Sequence, residues 1–340
     1  MINRDYNLSF DKLCEMCGLG DLVEEPKPLV GGYLNKMFAM QATLGKYAVK
    51  AINPNVIIRP TAMRNYINSE LIATAAAKAV PVCVAKIIDG KVMQEVCGQY
   101  YLVFDWMDGV CLKDDEISEL HCGVIGQILA DIHLIDFDNA SLRDDDSADE
   151  SLIDFVVYLQ MGREKGMPWV EILEQNMESL QGFDAEAIRA SKVLAENMVA
   201  SHRDLDPKNV LWNGDSPTLV DWEAAGLINP HHDLLETALY WAVDVDGGIC
   251  KDKFDAFMRG YQSKIALGDV DWSAVFAMGY SAKLGWLEYS LKRSLGIEAA
   301  DGAEVDVGTR HVMGTVRGVL RYSDMVKVVE GWLEDYGWQN

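Results

Sequence analysis

The apolar positions of this chain change their rhythm about a third of the way along. In the first part they come in short runs closed by glycine turns: Leu29 to Met40 across Gly31-Gly32, Tyr47 to Ile52 after Gly45, Val82 to Ile88 before Asp89-Gly90, then Val92 to Val96 and Tyr100 to Phe104. Runs of this length with β-branched and aromatic content predict strands, joined into a small antiparallel sheet. Two segments there keep a helical period. Ser9 is placed to cap a short helix ending near Gly18, with Phe10, Leu13 and Cys17 on one face, and Met63, Tyr66, Ile67 and Glu70 mark a helix within Thr61–Lys78. Asp105 to Gly109 reads as a linker. Beyond it the pattern predicts helices over 117–136, 149–163, 168–181, 184–198, 232–243, 249–264, 272–294 and 305–335. One interruption stands out, where Val210-Leu211-Trp212 and Leu219-Val220 flank a turn at Asn213–Pro217. The pattern divides the chain into a sheet-rich part, 1–107, and a helical part, 108–340.

Composition changes this picture in three ways. A chain of 340 residues can bury two separate cores. Its longest apolar stretch, Leu71 to Ala85, is broken by Lys78 and Pro81, and Met1 to Asp5 lead into polar sequence, so neither a membrane span nor a secretory leader is expected. The seven cysteines form no paired framework. Cys14 and Cys17 make a lone CxxC inside a predicted helix without a histidine beside it, which fits reduced thiols of a cytoplasmic protein better than zinc. The net charge of −23 is lopsided: 11 basic and 11 acidic residues precede position 109, and 19 basic and 42 acidic residues follow. That excess argues against nucleic-acid binding, which needs phosphate-facing cations. It also tilts a second substrate toward a cation, although screening over about 8 Å leaves a say only to carboxylates lining a cleft. No obligate protein partner is indicated.

The chemistry is concentrated in Ser201-His202-Arg203-Asp204-Leu205-Asp206-Pro207-Lys208-Asn209 and Val220-Asp221-Trp222-Glu223. An Asp, an Asn five residues later and an Asp across a hairpin are the groups that phosphoryl transfer from a nucleotide uses. The first aligns the attacking hydroxyl and accepts its proton; the other two hold the Mg²⁺ that bridges the phosphates. The hairpin would bring Asn209 and Asp221 together at one end. Upstream, Lys50 ends an alternating strand from which an ammonium reaches phosphate, and Glu70 on the next helix is placed to pair with it. The Gly31-Gly32 turn would let backbone approach the phosphates. His202 reads as a residue that holds the loop, and His133 as a core histidine. His231-His232 makes a poor metal site, because adjacent side chains rarely point at one ion. The acidic run Asp144 to Glu150 is either a solvated loop or the rim of an acceptor pocket.

The order Gly31-Gly32, Lys50, Glu70, linker, HRDLDPKN and DWE resembles the aminoglycoside phosphotransferase and choline kinase superfamily over nearly the whole chain. Gly126-x-x-Leu129-Ala130-x-Ile132-His133 and Gly226 to Leu234 are further matches. The resemblance implies an α+β, bilobal protein-kinase-like fold: a small antiparallel sheet with one main helix as the nucleotide-binding lobe, and a larger helical lobe. It implies Asp204 as catalytic base, Asn209 and Asp221 as Mg²⁺ ligands, Lys50 on phosphate with Glu70 as its partner, and the backbone of Asp105, Trp106 and Met107 along the adenine edge. Asp233 would support the loop. Two departures matter. Arg203 stands where many antibiotic kinases carry a small residue, and Trp222-Glu223 replaces Phe-Gly with no Ala-Pro-Glu segment after it, which points to a small-molecule kinase rather than a protein kinase. The expected activity is therefore Mg²⁺-dependent transfer from ATP or GTP to a small hydroxylated, cationic acceptor of the aminoglycoside-antibiotic kind. The alternatives are a choline, ethanolamine, amino-alcohol or sugar kinase, or a nucleotide-binding pseudokinase.

Overall fold

The computed structural model describes residues 5–29, 35–137, 151–244, 247–298 and 302–335. The smaller lobe is built on one five-stranded antiparallel sheet. In spatial order it runs β1 (Lys27–Leu29), β2 (Lys36–Ala42), β3 (Gly45–Ala51), β5 (Gln99–Asp105) and β4 (Gln94–Val96). Alternation along β2 and β3 puts Phe38, Met40, Tyr47 and Val49 into a core shared with α1 (Phe10–Cys17). The thiols of that helix are part of this apolar packing: Cys14 lies 3.7 Å from the Met40 sulfur, and burial pushes Cys17 up to about 11. Ser9 occupies the position before α1, but its side chain does not cap it; its N–H donates instead to the Tyr101 hydroxyl at 3.0 Å. On the sheet's other side α2 (Ala62–Ala76) buries Ala62 and Tyr66 against Ile52 and Leu102.

The strand expected over Val82–Ile88 does not form a ladder. Cys83 N–H donates to the Leu219 carbonyl while Lys86 N–H donates to Val103, so the segment divides its bonds between the two lobes. Its bridges to Leu219 and Phe104 are isolated ones.

The larger lobe is helical: α3 (Glu119–His133), α4 (Phe155–Lys165), α5 (Val170–Gln175), α6 (Met177–Leu194), α7 (Pro230–Trp241), α8 (Lys251–Gln262), α9 (Trp272–Met278), α10 (Ser281–Ser294) and α11 (Gly302–Asp335). Helices α3 and α8 cross with their backbones almost touching. A Cβ on Gly126 would lie 2.2 Å from the Phe257 carbonyl oxygen, and one on Gly260 would lie 2.2 Å from that of Gly123. The single helix expected over 272–294 is two helices. The Tyr322 hydroxyl reaches the Phe276 carbonyl at 3.0 Å through the space that a side chain at position 279 would fill, and the chain turns at Gly279-Tyr280. One large core joins these helices and also draws in Ile72, Ala73 and Ala76 from the end of α2. The smaller lobe therefore shares its helix with the larger one. Two short antiparallel pairs, β6 (Val199–Ser201) with β9 (Gly226–Ile228) and β7 (Val210–Asn213) with β8 (Ser216–Leu219), sit where the lobes meet. Among the described residues no helix is long and apolar enough to cross a membrane.

Candidate functional site

The loop after β6 is held from within. His202 is fully buried, and its Nδ1 accepts from the Asp204 N–H at 3.3 Å, so the proton sits on Nε2 and is donated to the Val220 carbonyl at 3.0 Å. Burial keeps this imidazole below the usual histidine range, in the neutral form that both bonds require. One ring thus ties the loop carrying Asp204 to the strand end carrying Asp221. Arg203 pays for the turn with φ +63°, in the left-handed region. Its side chain folds over Gly226, where a Cβ would meet Nη1 at 2.6 Å. Asp206 then accepts from the Lys208 N–H at 2.9 Å and opens the 3-10 turn Pro207–Asn209.

That turn delivers Asn209. Its Nδ2 donates to the Asp204 carbonyl at 2.8 Å and to the Asp204 carboxylate at 2.9 Å, leaving Oδ1 without a protein partner among the described residues. The β7–β8 pairing, Val210 opposite Leu219, continues as a bond from Val220 N–H to the Asn209 carbonyl at 2.9 Å and so sets Asp221 beside Asn209. Asp221 itself takes φ +60° and ψ +60°. A non-glycine residue held left-handed costs of order 1 kcal/mol, a strain found where a side chain must be aimed.

Lys50, in the middle of the sheet and 6 % exposed, reaches across the cleft. Its Nζ lies 2.5 Å from Asp221 Oδ1 and 3.0 Å from Glu223 Oε2. Burial works to lower this ammonium, but the two carboxylates outweigh it and hold the group above the ordinary lysine value. The expected ion pair with Glu70 is thereby corrected. Glu70 is buried on α2, but its Oε2 accepts from the Ala85 N–H at 3.1 Å, and burial pushes its carboxyl up. In place of Glu70, Lys50 is paired with Asp221 and Glu223, and Glu223 also accepts from Asn35 Nδ2 at 2.9 Å; Asn35 in turn bonds Tyr66 and the Asn53 N–H. Glu223 and Lys208, whose Nζ stands 3.3 Å from Asp204 and 3.6 Å from Asp206, belong to the cluster although neither was singled out for such a bond from sequence. The spacing of Lys208, four residues after Asp204, was the available signal.

The linker leaves β5 at Asp105. Trp106 N–H is used internally, donating to the Lys46 carbonyl at 3.1 Å, and its ring lies under the Lys46 ammonium at 3.5 Å. Met107 N–H has no intramolecular partner among the described residues, and the Asp105 carbonyl receives the Cys83 thiol at 3.7 Å. Of the three linker residues, Asp105 and Met107 therefore have main-chain groups able to meet a base edge, and Trp106 N–H does not. Gly31 and Gly32 lie outside the described residues, as does the acidic run 144–150. Behind the loop, Asp233 on α7 is buried and accepts from Ser201 Oγ at 2.5 Å and from His133 Nε2 at 2.9 Å; His133 Nδ1 meets the Tyr261 hydroxyl at 2.8 Å. Burial opposes the Asp233 charge, yet these bonds keep its carboxyl below the usual range.

Among the described residues no three His, Cys, Asp or Glu side chains gather at one point. A carboxylate and a carboxamide oxygen at the end of the β7–β8 hairpin form a thin set of hard oxygen donors. That set suits Mg²⁺, which binds through one or two protein oxygens and completes its shell with phosphate and water.

A family model for a phosphotransferase enzyme family (APH) matches residues 25–265. Sequence comparison with curated proteins gives no significant match. Solved structures do match in fold. A spectinomycin phosphotransferase in complex with ADP and spectinomycin superposes with a TM-score of 0.67 at 13% identity, covering 92% of this chain and 97% of that one. A microcompartment-associated aminopropanol kinase gives 0.65 at 14% identity, covering 94% and 98%. An amicoumacin kinase in complex with AMP-PNP and Ca²⁺ gives 0.61 at 12% identity, covering 93% and 94%.

Proposed function

The chain belongs to the phosphotransferase enzyme family, and on that footing we propose that it moves the γ-phosphoryl group of ATP or GTP to a hydroxyl of a small acceptor. The observation that carries this reading is the meeting of Lys50, Asp204, Asn209 and Asp221 around one cleft. Asp204 would align the acceptor hydroxyl and take its proton. Its carboxylate is oriented by Asn209 Nδ2 and flanked by the Lys208 ammonium, which also stands ready for phosphate charge. Lys50 would bind nucleotide phosphate, held in place by Glu223, while Asp105 and Met107 offer a carbonyl and an N–H to the base. Asn209 Oδ1 and Asp221 would hold Mg²⁺, which supplies charge neutralisation on the phosphates. His202 keeps the loop and the Asp221 end in register. Catalysis in such a site is mostly positioning and electrostatics, since the transferring group passes through a loose transition state. The relatives in complex with ADP, or with AMP-PNP and Ca²⁺, support a nucleotide and a divalent cation as co-substrate and cofactor. Their printed acceptors, spectinomycin and aminopropanol among them, support a small hydroxylated molecule. All seven cysteines are free thiols, which supports a cytoplasmic setting.

Replacing Asp204 by Ala tests the assignment. Acceptor-dependent kcat should fall by about a hundredfold or more, as for loss of a general base, with nucleotide affinity kept. Turnover like that of the unaltered protein would overturn it.

A further inference from the structure

A cavity of about 480 Å³ opens between α7, α10 and α11, within the range of small-molecule sites. It lies next to the Asp204 loop. Trp241 on α7 donates to the Leu205 carbonyl at 2.8 Å, and the neighbouring Tyr240 lies in the cavity wall, its hydroxyl pushed up by burial, by Glu236 and then by Asp204. Three features of the wall bear on what it takes.

First, its charge runs against the rest of the chain. Lys283 of α10, half-buried, and Arg310 of α11, exposed at the rim, line it together with one carboxylate, Glu236, which accepts from the Tyr240 hydroxyl at 3.2 Å. Lys283 is short of compensation: its Nζ reaches the Gly279 carbonyl at 3.2 Å and the Tyr322 ring at 4.4 Å, with no carboxylate within 4.0 Å among the described residues. Burial lowers this ammonium, and Glu236 only partly restores it. A sheltered cation without a counter-ion is costly, and a bound anion would relieve it. Arg310 likewise has no ion pair among the described residues. Second, His311 Nδ1 is buried without a hydrogen-bond partner, a donor or acceptor left open in the same wall. Third, the cavity is hollowed by glycines. A Cβ on Gly314 or Gly318 would meet nothing within 4 Å, although each glycine costs a helix interior about 1 kcal/mol relative to alanine. Trp286, 48 % exposed and 5.7 Å from the His311 ring, adds an aromatic lip.

We propose that this cavity is the acceptor site and that it selects a hydroxylated molecule bearing an anionic group, a carboxylate or a phosphate, held by Lys283 and Arg310. This rests on the phosphotransfer reading and reverses the cationic acceptor expected from overall charge. The net acidity of residues 109–340 is a property of the whole lobe, whereas recognition depends on the few groups that line the cavity.

The test is turnover of the full chain with ATP on four acceptor classes: hydroxy and sugar acids such as glycerate and gluconate, sugar phosphates, neutral sugars, and amines such as choline and spectinomycin. The expected result is a kcat/KM for one of the two anionic classes at least about tenfold above that for neutral sugars or amines, the scale of one charge-assisted contact. The split between acids and phosphates identifies the anion. Lys283→Met removes a half-buried charge that has no ion pair among the described residues; with its melting temperature checked against that of the unaltered protein, it should raise the acceptor KM about tenfold without moving the nucleotide KM. Gly314→Leu should fill the cavity and abolish acceptor turnover while nucleotide binding survives. Preference for amines or neutral sugars, or an acceptor KM unmoved by Lys283→Met, overturns the proposal while phosphotransfer stands. Absence of turnover in every class overturns the phosphotransfer reading beneath it.

Discussion

At the scale of single residues, which carboxylate holds Lys50 decides how the nucleotide pocket is built. Glu223 pairs with it at 3.0 Å and is fixed from behind by Asn35, whereas Glu70 spends its carboxylate on the Ala85 N–H. Glu223→Gln should therefore weaken nucleotide binding by about tenfold, the loss expected for one hydrogen bond to a charged group. Glu70→Gln should change it little, because an amide oxygen still accepts from Ala85. Titrating both variants with nucleotide checks this, and a loss in Glu70→Gln as large as that in Glu223→Gln would overturn the distinction between them. The same pair shows what sequence can and cannot reveal about a site. Residue type and spacing pointed to Lys50, Asp204, Asn209 and Asp221, and local hydrogen bonding brings Asn209 to Asp204 within five residues. The Lys50–Glu223 contact spans 173 residues. It depends on how the lobes meet, which no local pattern encodes. The left-handed backbone at Arg203 and Asp221 was equally hidden: arginine rarely adopts it, and aspartate, which tolerates it better, does so too seldom for one residue to announce it.

Between elements, the α3–α8 crossing is close-packed, and it depends on glycines that a helical pattern alone would count as defects. Gly126 has no room for a Cβ against the Phe257 backbone, whereas a Cβ on Gly123 would meet the Ala256 carbonyl at an ordinary 3.6 Å. Gly126→Ala should destabilise the protein by about 2–3 kcal/mol, the cost of forcing extra volume into a packed interface. Gly123→Ala should be neutral, or stabilising by about 0.5–1 kcal/mol through helix propensity. Denaturant unfolding of the two variants measures the contrast; similar values for both would mean that the crossing relaxes. Helices and strands were legible where their period was clean, as in β2, β3, α2 and α3. Breaks were not. The α5–α6 junction turns on Asn176 Nδ2 bonding back to the Ile172 carbonyl, and the α9–α10 junction on a tyrosine hydroxyl from α11. Val82–Ile88 failed as a strand because its hydrogen-bond partners lie on two lobes.

For the molecule as a whole, the response to acid follows from histidines that the fold keeps neutral. Burial lowers His202, His231 and His232 alike, so the folded chain refuses protons that the unfolded chain accepts near the ordinary value of about 6.5. A group whose folded pKa is depressed in this way contributes its stability above the unfolded pKa and loses it as pH falls below. For the fully buried His202 the loss is at most about 1.4 kcal/mol per pH unit. Two opposing effects act lower down. Burial pushes Glu70 and Asp184 up, which favours their protonated folded forms, and protonating surface carboxylates relieves repulsion in a chain of net charge −23. Most carboxylates remain ionised above about pH 5, so between pH 6.5 and 5 the histidines should dominate. Below that window Asp233, held low by His133 and Ser201, adds its own loss once pH passes the ordinary carboxyl value. Melting temperature should thus fall from pH 7 to pH 5.5 at fixed salt, and nucleotide affinity should fall with it. Protonating His202 removes the Nδ1 acceptor for Asp204 N–H and so loosens the loop before the rest of the lobe. A melting temperature that stays flat or rises across that interval would show that repulsion among the acidic residues outweighs these buried rings.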